Sequence, residues 1–468
     1  MRIVIGEINS RVYSKDFRIL AIVKKACSAR PSGFQFMPKY KNSTWDGFIS
    51  LMESTSAFPT GLLGLVVDAL KVKNYKVEID WGVYANEPER EVSPDMLQGI
   101  TLRDYQIEAV TKLLEAQRGV AKMATNSGKT EVFAAILKAL GDKNALVIVH
   151  RKELLHQTAA RLSKRLGRKI GKVGDGYVES GDGITVAMIQ TLSGIMNAPR
   201  TEFFHHFDTN EVVIVDECHH VSANQMMDAL HKIPGKYRYG FSGTPLKNDV
   251  LADLKLMSVT GRVIVDVSNM DLIEQGFSAV PIVYMHDVIT SKDDDWDLDY
   301  HSAYSQYIVG NSQRNDLIAD LAREAARLGE VVLVLVTQIE HGELLARKSG
   351  GLFSSGEHTT KHRMNMLDDM RKGISGVYVA STILDEGVDV PAINTLILAG
   401  GGKSGLKLLQ RIGRGLRQKS GENVLKVHDF IDETNKYLMK HSEDRIDVYV
   451  EEGFRIETAA GKVLRVSL

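Results

Sequence analysis

Short runs rich in β-branched residues alternate with stretches of helical period over most of the chain. ALVIVH, ITVAMI, EVVIVD and YRYGFS occupy strand positions between residues 145 and 242, and KELLHQTAARLSKRL reads as a helix between the first two. Strands that alternate with helices predict a parallel sheet covered on both faces. A second series, VVLVLV, GVYVAS and NTLILAG, begins near Asn311 and predicts a second domain of the same kind. The amino-terminal residues read differently. Alternating MRIVIGEI, a helical stretch near residues 17–29, the apolar GLLGLVVDALKVKNY and the strand-like KVEIDW predict a small α+β domain. Polar ANEPEREVSP (85–94) breaks the periodicity and marks a linker, and the acidic SKDDDWDLD lies where the two larger domains join, near 266–299. The expected organisation is a small α+β domain at 1–92, parallel-sheet α/β domains at 93–270 and 271–440, and a carboxy-terminal extension at 441–468.

Composition narrows the function. At 468 residues the chain exceeds one core, and a formal charge of −1 excludes a protein that coats nucleic acid by charge alone. Charge is nevertheless focused: residues 1–45 carry nine lysines or arginines against Glu7 and Asp16, a local +7. Lys39 and Lys41, interleaved with Tyr40 and Trp45, are candidate nucleic-acid contacts, although Trp45 has a plain alternative reading as a core residue. With Cys27 and Cys218 the only cysteines, the chain fits a reducing compartment and a cytoplasmic site is expected. No run has the length of a signal peptide or a membrane span, so no membrane partner is expected.

The segment AKMATNSGKTEVFAAIL sets Ser127, Gly128, Lys129 and Thr130 between a short apolar strand and a helix, the context of a phosphate-binding loop. Amides at the helix start can hold phosphates, Lys129 can reach the β- and γ-phosphates of ATP, and the Thr130 hydroxyl can ligate Mg²⁺. The full signature wants glycine where Met123 stands. Further on, the strand VVIVD ends in Asp216, Glu217, Cys218, His219 and His220. Carboxylates there emerge at the carboxyl edge of a parallel sheet, with Asp216 placed for Mg²⁺ and Glu217 for the attacking water. A zinc reading of Cys218, His219 and His220 would need further soft ligands nearby.

With GKT and DECHH in one α/β unit, the chain resembles the superfamily 2 helicases, which implies two tandem RecA-like domains with ATP between them. LRDYQ resembles the Q-motif, implying Arg103 and Gln106 at the nucleotide, with Gln106 on the adenine edge. VHRKELLHQ resembles motif Ia and AMIQTL the strand-end motif after it, implying Arg151, Gln190 and Thr191 on the nucleic-acid backbone. SGTP resembles motif III. In the second domain the resemblance implies Thr337 as a motif IV contact. It places Ser381 and Thr382 of VASTILDEGVDVP at phosphates, with Gly387 and Asp389 at the nucleotide. QRIGRGLR resembles motif VI, with Arg414 and Arg417, three apart on one helical face, as arginine fingers. Asn126 stands where many relatives have glycine or another small residue, and Gly243 where many helicases have alanine.

FQFMPKYKNSTWDGFISLM with FPTGLLGLVVDAL is similar to the amino-terminal domain of the phage UvsW-type recombination helicases. That resemblance implies an ATP- and Mg²⁺-dependent motor on branched and single-stranded DNA, in the host cytoplasm and alongside phage recombination or replication proteins. No heptad run suggests a coiled coil, so a monomeric motor is expected. Two other readings share the motor motifs: the motor subunit of a restriction or nuclease complex, and an RNA helicase.

Overall fold

The apolar runs at 145–149, 184–188, 212–216 and 237–242 lie side by side in one sheet of the computed structural model. The structure describes residues 1–84, 90–197, 207, 209–222, 224–247, 249–288, 297–381, 393–402 and 423–458. Its contacts divide the chain into two units, Met1–Val267 and Ser268–Leu468.

The first unit opens with a four-stranded sheet of β1 (Arg2–Val4), β2 (Asn9–Tyr13), β5 (Ala57–Pro59) and β6 (Glu78–Asp80), in the order β5-β2-β1-β6. β1 runs antiparallel to β2 and parallel to β6. The short pair β3 (Ser28–Ala29) and β4 (Ile49–Ser50) stands apart. Helices Phe17–Ala26 and Leu63–Val72 cover the four-stranded sheet. The first starts at Asp16, whose carboxylate accepts from the Arg18 N–H.

This small layer does not close its core alone. Ile3, Val12, Val23, Phe58, Leu62, Val66 and Leu70 form one cluster with Leu251 and Leu254 of the helix Val250–Thr260. Each buried leucine contributes roughly 1.5–3 kcal/mol. The approach is close enough that a Cβ on Gly61 would sit 2.0 Å from the Met257 carbonyl oxygen. Arg262 to Asp68 and Ser32 to Asp249 add polar ties across the same seam.

The rest of the first unit is an eight-stranded sheet. It contains β7 (Arg118–Met123), β8 (Ala145–Val149), β9 (Gly171–Gly174), β10 (Tyr177–Glu179), β11 (Ile184–Met188), β12 (Val212–Asp216), β13 (Tyr237–Ser242) and β14 (Val263–Val267). Their order is β10-β9-β11-β8-β12-β13-β7-β14, parallel throughout except for the β9–β10 hairpin. Strands β8 and β12 are buried along their whole length, as continuous apolar runs require.

The second unit is a seven-stranded, all-parallel sheet. Its strands are β15 (Val280–Asp287), β16 (Val331–Leu335), β17 (Leu352–Ser354), β18 (Gly376–Ala380), β19 (Thr395–Ile397), β20 (Val424–Ile431) and β21 (Arg455–Thr458). They lie in the order β17-β18-β16-β19-β20-β15-β21. Residues 441–458, set apart on sequence grounds as an extension, are built into this unit as part of a helix and an edge strand. The helix Lys436–Glu451 sends Arg445 to Asp429, a buried ion pair at 2.8 Å, and β21 pairs with β15 as the edge strand. Among the described residues no helix is long and apolar enough to cross a membrane.

Candidate active site

Four parallel strands of the first unit deliver the candidate residues to one edge of the sheet. The loop after β7 carries Asn126 to Thr130, β12 ends at Asp216, β13 ends at Ser242, and β8 leads to Arg151. Because the strands are parallel, their carboxyl ends share this edge, the usual place for ligands of open α/β sheets.

The phosphate loop turns through two left-handed residues, Asn126 at φ 72° and Gly128 at φ 79°. Asparagine tolerates that conformation, so the departure from glycine at position 126 is accommodated. Gly128 has no such latitude, since a Cβ would lie 2.3 Å from Gln106 Nε2. The helix Lys129–Leu140 starts immediately after it, so its first free N–H groups face the loop. The Ser127 hydroxyl is fully buried and has no hydrogen-bond partner among the described residues, a polar atom suited to a phosphate oxygen.

Two side chains hold this loop by the Ser127 carbonyl, which accepts from the Tyr105 hydroxyl at 2.7 Å and from Gln106 Nε2 at 2.9 Å. Gln106 is buried, and its Oε1 also accepts from the Arg103 amide. It therefore braces the phosphate loop directly. Arg103 donates to Tyr105. Tyr105 was not singled out in the sequence, although it lies between two residues that were.

Lys129 and Glu217 face each other at 3.1 Å, both largely covered, with side-chain exposures of 17% and 22%. Burial works against the charge on Lys129, yet Glu217 and Asp216 outweigh it and hold its pKa above the ordinary lysine value. Burial likewise works to raise Glu217, but Lys129 and His219 keep its carboxyl below the usual carboxylate range. Asp216 absorbs the cost of crowding: burial and the neighbouring Glu217 charge push it up to about 6. Two adjacent carboxylates in so covered a place, with Thr130 in the first turn of the helix after the phosphate loop, are oxygen donors suited to a hard cation that keeps several waters.

His219 is engaged within the protein. Its Nδ1 lies 2.9 Å from the Ser242 hydroxyl and 3.3 Å from Glu217 Oε2, so it bridges the DECHH strand end to SGTP. Among the described residues no three or more histidine, cysteine, aspartate or glutamate side chains gather as a metal-binding group. A Cβ at Gly243 would meet only ordinary contacts, the nearest being Met123 O at 3.5 Å.

Of the candidate nucleic-acid residues of this unit, Arg151, Gln190 and Thr191 follow strands of the same sheet, β8 and β11. Gln190 and Thr191 begin the helix after β11, and Gln190 Nε2 donates to the His150 carbonyl beside Arg151, joining the two strand ends. Lys39 and Lys41 are exposed, and Trp45 is half-buried with its Nε1 donating to the Phe48 carbonyl, outside the core cluster of its domain. In the second unit Thr337 follows β16, is exposed and donates to the Gly400 carbonyl at 3.4 Å. Ser381 follows the neighbouring β18 and is buried. Thr382, Gly387, Asp389, Arg414 and Arg417 lie outside the described residues.

Comparison with known proteins accounts for the chain in three consecutive stretches. Residues 10–80 match the family described as DNA helicase UvsW, N-terminal; residues 99–247 match the type III restriction enzyme res subunit; and residues 313–419 match the helicase conserved C-terminal domain. The ATP-dependent DNA helicase uvsW of Enterobacteria phage T4 is 25% identical over 91% of this chain and 92% of its own length. The putative DNA 3'-5' helicase Rad25 of Halobacterium salinarum is 29% identical over 69% of this chain, which spans 53% of that relative. A solved fragment of a putative HsdR subunit of a type I restriction enzyme from Vibrio vulnificus shares the fold, with TM-score 0.56 and 18% identity over 81% of this chain and 71% of that one. A phosphate loop braced by a Q-motif, a DECHH strand end tied to SGTP and a UvsW amino-terminal region make the chain similar to the UvsW-type superfamily 2 helicases over nearly its whole length, and an enzyme that hydrolyses ATP.

Proposed function

We propose that the chain is a motor on DNA that unwinds and branch-migrates forks and four-way junctions, as a monomer, in phage recombination, repair or replication within the host cytoplasm. The observation that carries this reading is the end-to-end likeness to the phage T4 helicase, whose match includes the amino-terminal region and not the motor alone. The restriction-motor reading shares residues 99–247 but leaves residues 10–80 without a role.

The chemistry follows from the Lys129–Glu217 pair. An incoming triphosphate offers Lys129 a stronger anion than Glu217, and the lysine exchanges partners. Glu217 then loses the charge that held its proton affinity down, while burial remains. It becomes the better base at the moment a water must be oriented and deprotonated. His219 stays on Glu217 and Ser242, so the change in charge is felt at SGTP and in the helix that follows it. Asp216 and Thr130 would hold Mg²⁺, which supplies neutralisation of the phosphate charge, and Arg414 and Arg417 would serve as arginine fingers.

The test is the ATPase rate with no nucleic acid, single-stranded DNA, a synthetic four-way junction and structured RNA, beside strand displacement on the same substrates. Stimulation and unwinding on branched DNA are expected. Stimulation by RNA alone, or DNA-stimulated hydrolysis with no strand separation, overturns the proposed substrate.

A further inference from the structure

Between β3 and β4 the chain makes an excursion, residues 30–48, that contributes to no core. Phe34, Phe36, Met37, Tyr40, Trp45 and Phe48 all lie within it, yet Gly47 is its single buried residue. Phe36 is 72% exposed, Met37 38% and Phe48 38%. Three large apolar side chains held in water on one short segment, over three half-buried aromatic rings, mark a contact surface.

The excursion is nonetheless ordered from within. The Arg30 guanidinium lies 4.6 Å from the Phe34 ring centroid and 4.4 Å from that of Phe48, and it donates to the Asp46 carbonyl. Phe34 meets Tyr40 edge-on at 4.8 Å, and Trp45 is fixed by its bond to Phe48. The aromatic base is thus a rigid mount. Phe36 and Met37 project beyond it, and Phe36 has no ring partner among the described residues. Lys39 and Lys41 flank them, exposed, with Asp46 the lone acid of the excursion.

The mount is also tied to the motor. Ser32 Oγ donates to Asp249 at 2.5 Å, and Asp249 caps the helix Val250–Thr260 by accepting from the Ala252 amide. That helix follows SGTP, whose Ser242 is bonded to His219 of the ATP site. The excursion is therefore held by the helix next in line from the hydrolysing residues.

We propose that residues 30–48 are the element that parts base pairs at a branch point, Phe36 and Met37 stacking on the exposed face of the terminal pair while Lys39 and Lys41 hold the flanking phosphates. This rests on the DNA reading above. A base offers a flat π face to a projecting ring and a phosphate to each neighbouring lysine, and that combination matches the charge and shape of the tip.

The experiment uses the full chain and a four-way junction with 2-aminopurine at the branch nucleotides, comparing wild type with Phe36→Ala, Phe36→Ala/Met37→Ala and Phe36→Trp. Wild type should change the 2-aminopurine fluorescence on binding, and Phe36→Ala should lose most of that change. Junction unwinding should fall about 10-fold in Phe36→Ala, within the range of one lost base stack, while ATPase stimulated by single-stranded DNA stays within about two-fold of wild type. Phe36→Trp should restore both signals. If wild type unwinds the junction and Phe36→Ala does so equally fast, or the fluorescence change is the same in both, the inference is wrong and the motor reading stands. If wild type neither binds nor unwinds any DNA, the motor reading falls and this one with it.

Discussion

Glu217 holds a backbone φ of 48°, a conformation that costs a non-glycine residue on the order of 1–3 kcal/mol. That strain points its carboxylate back toward Lys129 and His219 instead of onward along the chain. Glu217→Gln keeps the size and the backbone but removes the base. ATP turnover should fall by about 10²–10⁴-fold with nucleotide binding retained; a variant within ten-fold of wild type would show that another group activates the water. Asn126 gives a milder case of the same geometry. At φ 72° alanine should cost about 1–2 kcal/mol in thermal or denaturant unfolding, while glycine should be close to neutral. Equal stability of Asn126→Ala and Asn126→Gly would mean the loop relaxes out of the left-handed region.

At the scale of elements, the helix Val250–Thr260 deserves the closest look because it is shared between two layers. Leu251 and Leu254 face the amino-terminal domain, while Leu256 and Val259 belong to the core of the eight-stranded sheet. Gly61→Val pushes a branched side chain onto the carbonyls of Met257 and Ser258, which are backbone and cannot swing away. We expect a loss of about 1–3 kcal/mol, faster hydrogen exchange in 63–72 and 250–260, and ATPase without nucleic acid within two-fold of wild type. Unchanged exchange in 250–260 would show that the two layers are not coupled there. This seam explains what the sequence hid. The motor strands were readable because buried parallel strands are continuous apolar runs, with DECHH at the end of one and GKT just beyond the loop that follows another. A helix buried on two sides shows apolar residues all round and does not say which neighbour each side meets. Tyr105 was invisible for a related reason, since its partner, the Ser127 carbonyl, is backbone and distant in sequence. The tail misled because β21 is short and reads RIET, and only its pairing with β15 makes it part of the sheet.

For the molecule as a whole, the two units should respond differently to acid. In the second unit burial holds three histidines neutral: His341 is pulled down to about 3 by burial and by Arg314, His428 to about 3 by burial and by His286, and His286 is also lowered by burial. Nε2 of His286 and Nδ1 of His428 share one hydrogen bond at 2.8 Å, an arrangement that needs a lone pair on one side and fails once both rings are protonated. Because the folded values lie below the unfolded one near 6.5, the unfolded chain takes up protons first. Stability is therefore full above about pH 6.5 and falls as the pH drops toward the folded values, by about 2 kcal/mol each for His341 and His428 at pH 5. In the first unit Asp216, raised to about 6, works the other way, since its folded form binds a proton before the unfolded one does, although His231, lowered to about 4 by burial and Arg238, adds to the acid loss there. Hydrogen exchange at pH 5 should thus show residues 268–458 opening before the eight-stranded sheet, with both protected at pH 7.5. His341→Gln, which keeps a donor for Asn315 but does not titrate, should make the pH dependence of the second unit's unfolding shallower. Identical exchange of both units at pH 5 would mean that these buried histidines do not set the acid limit of the fold.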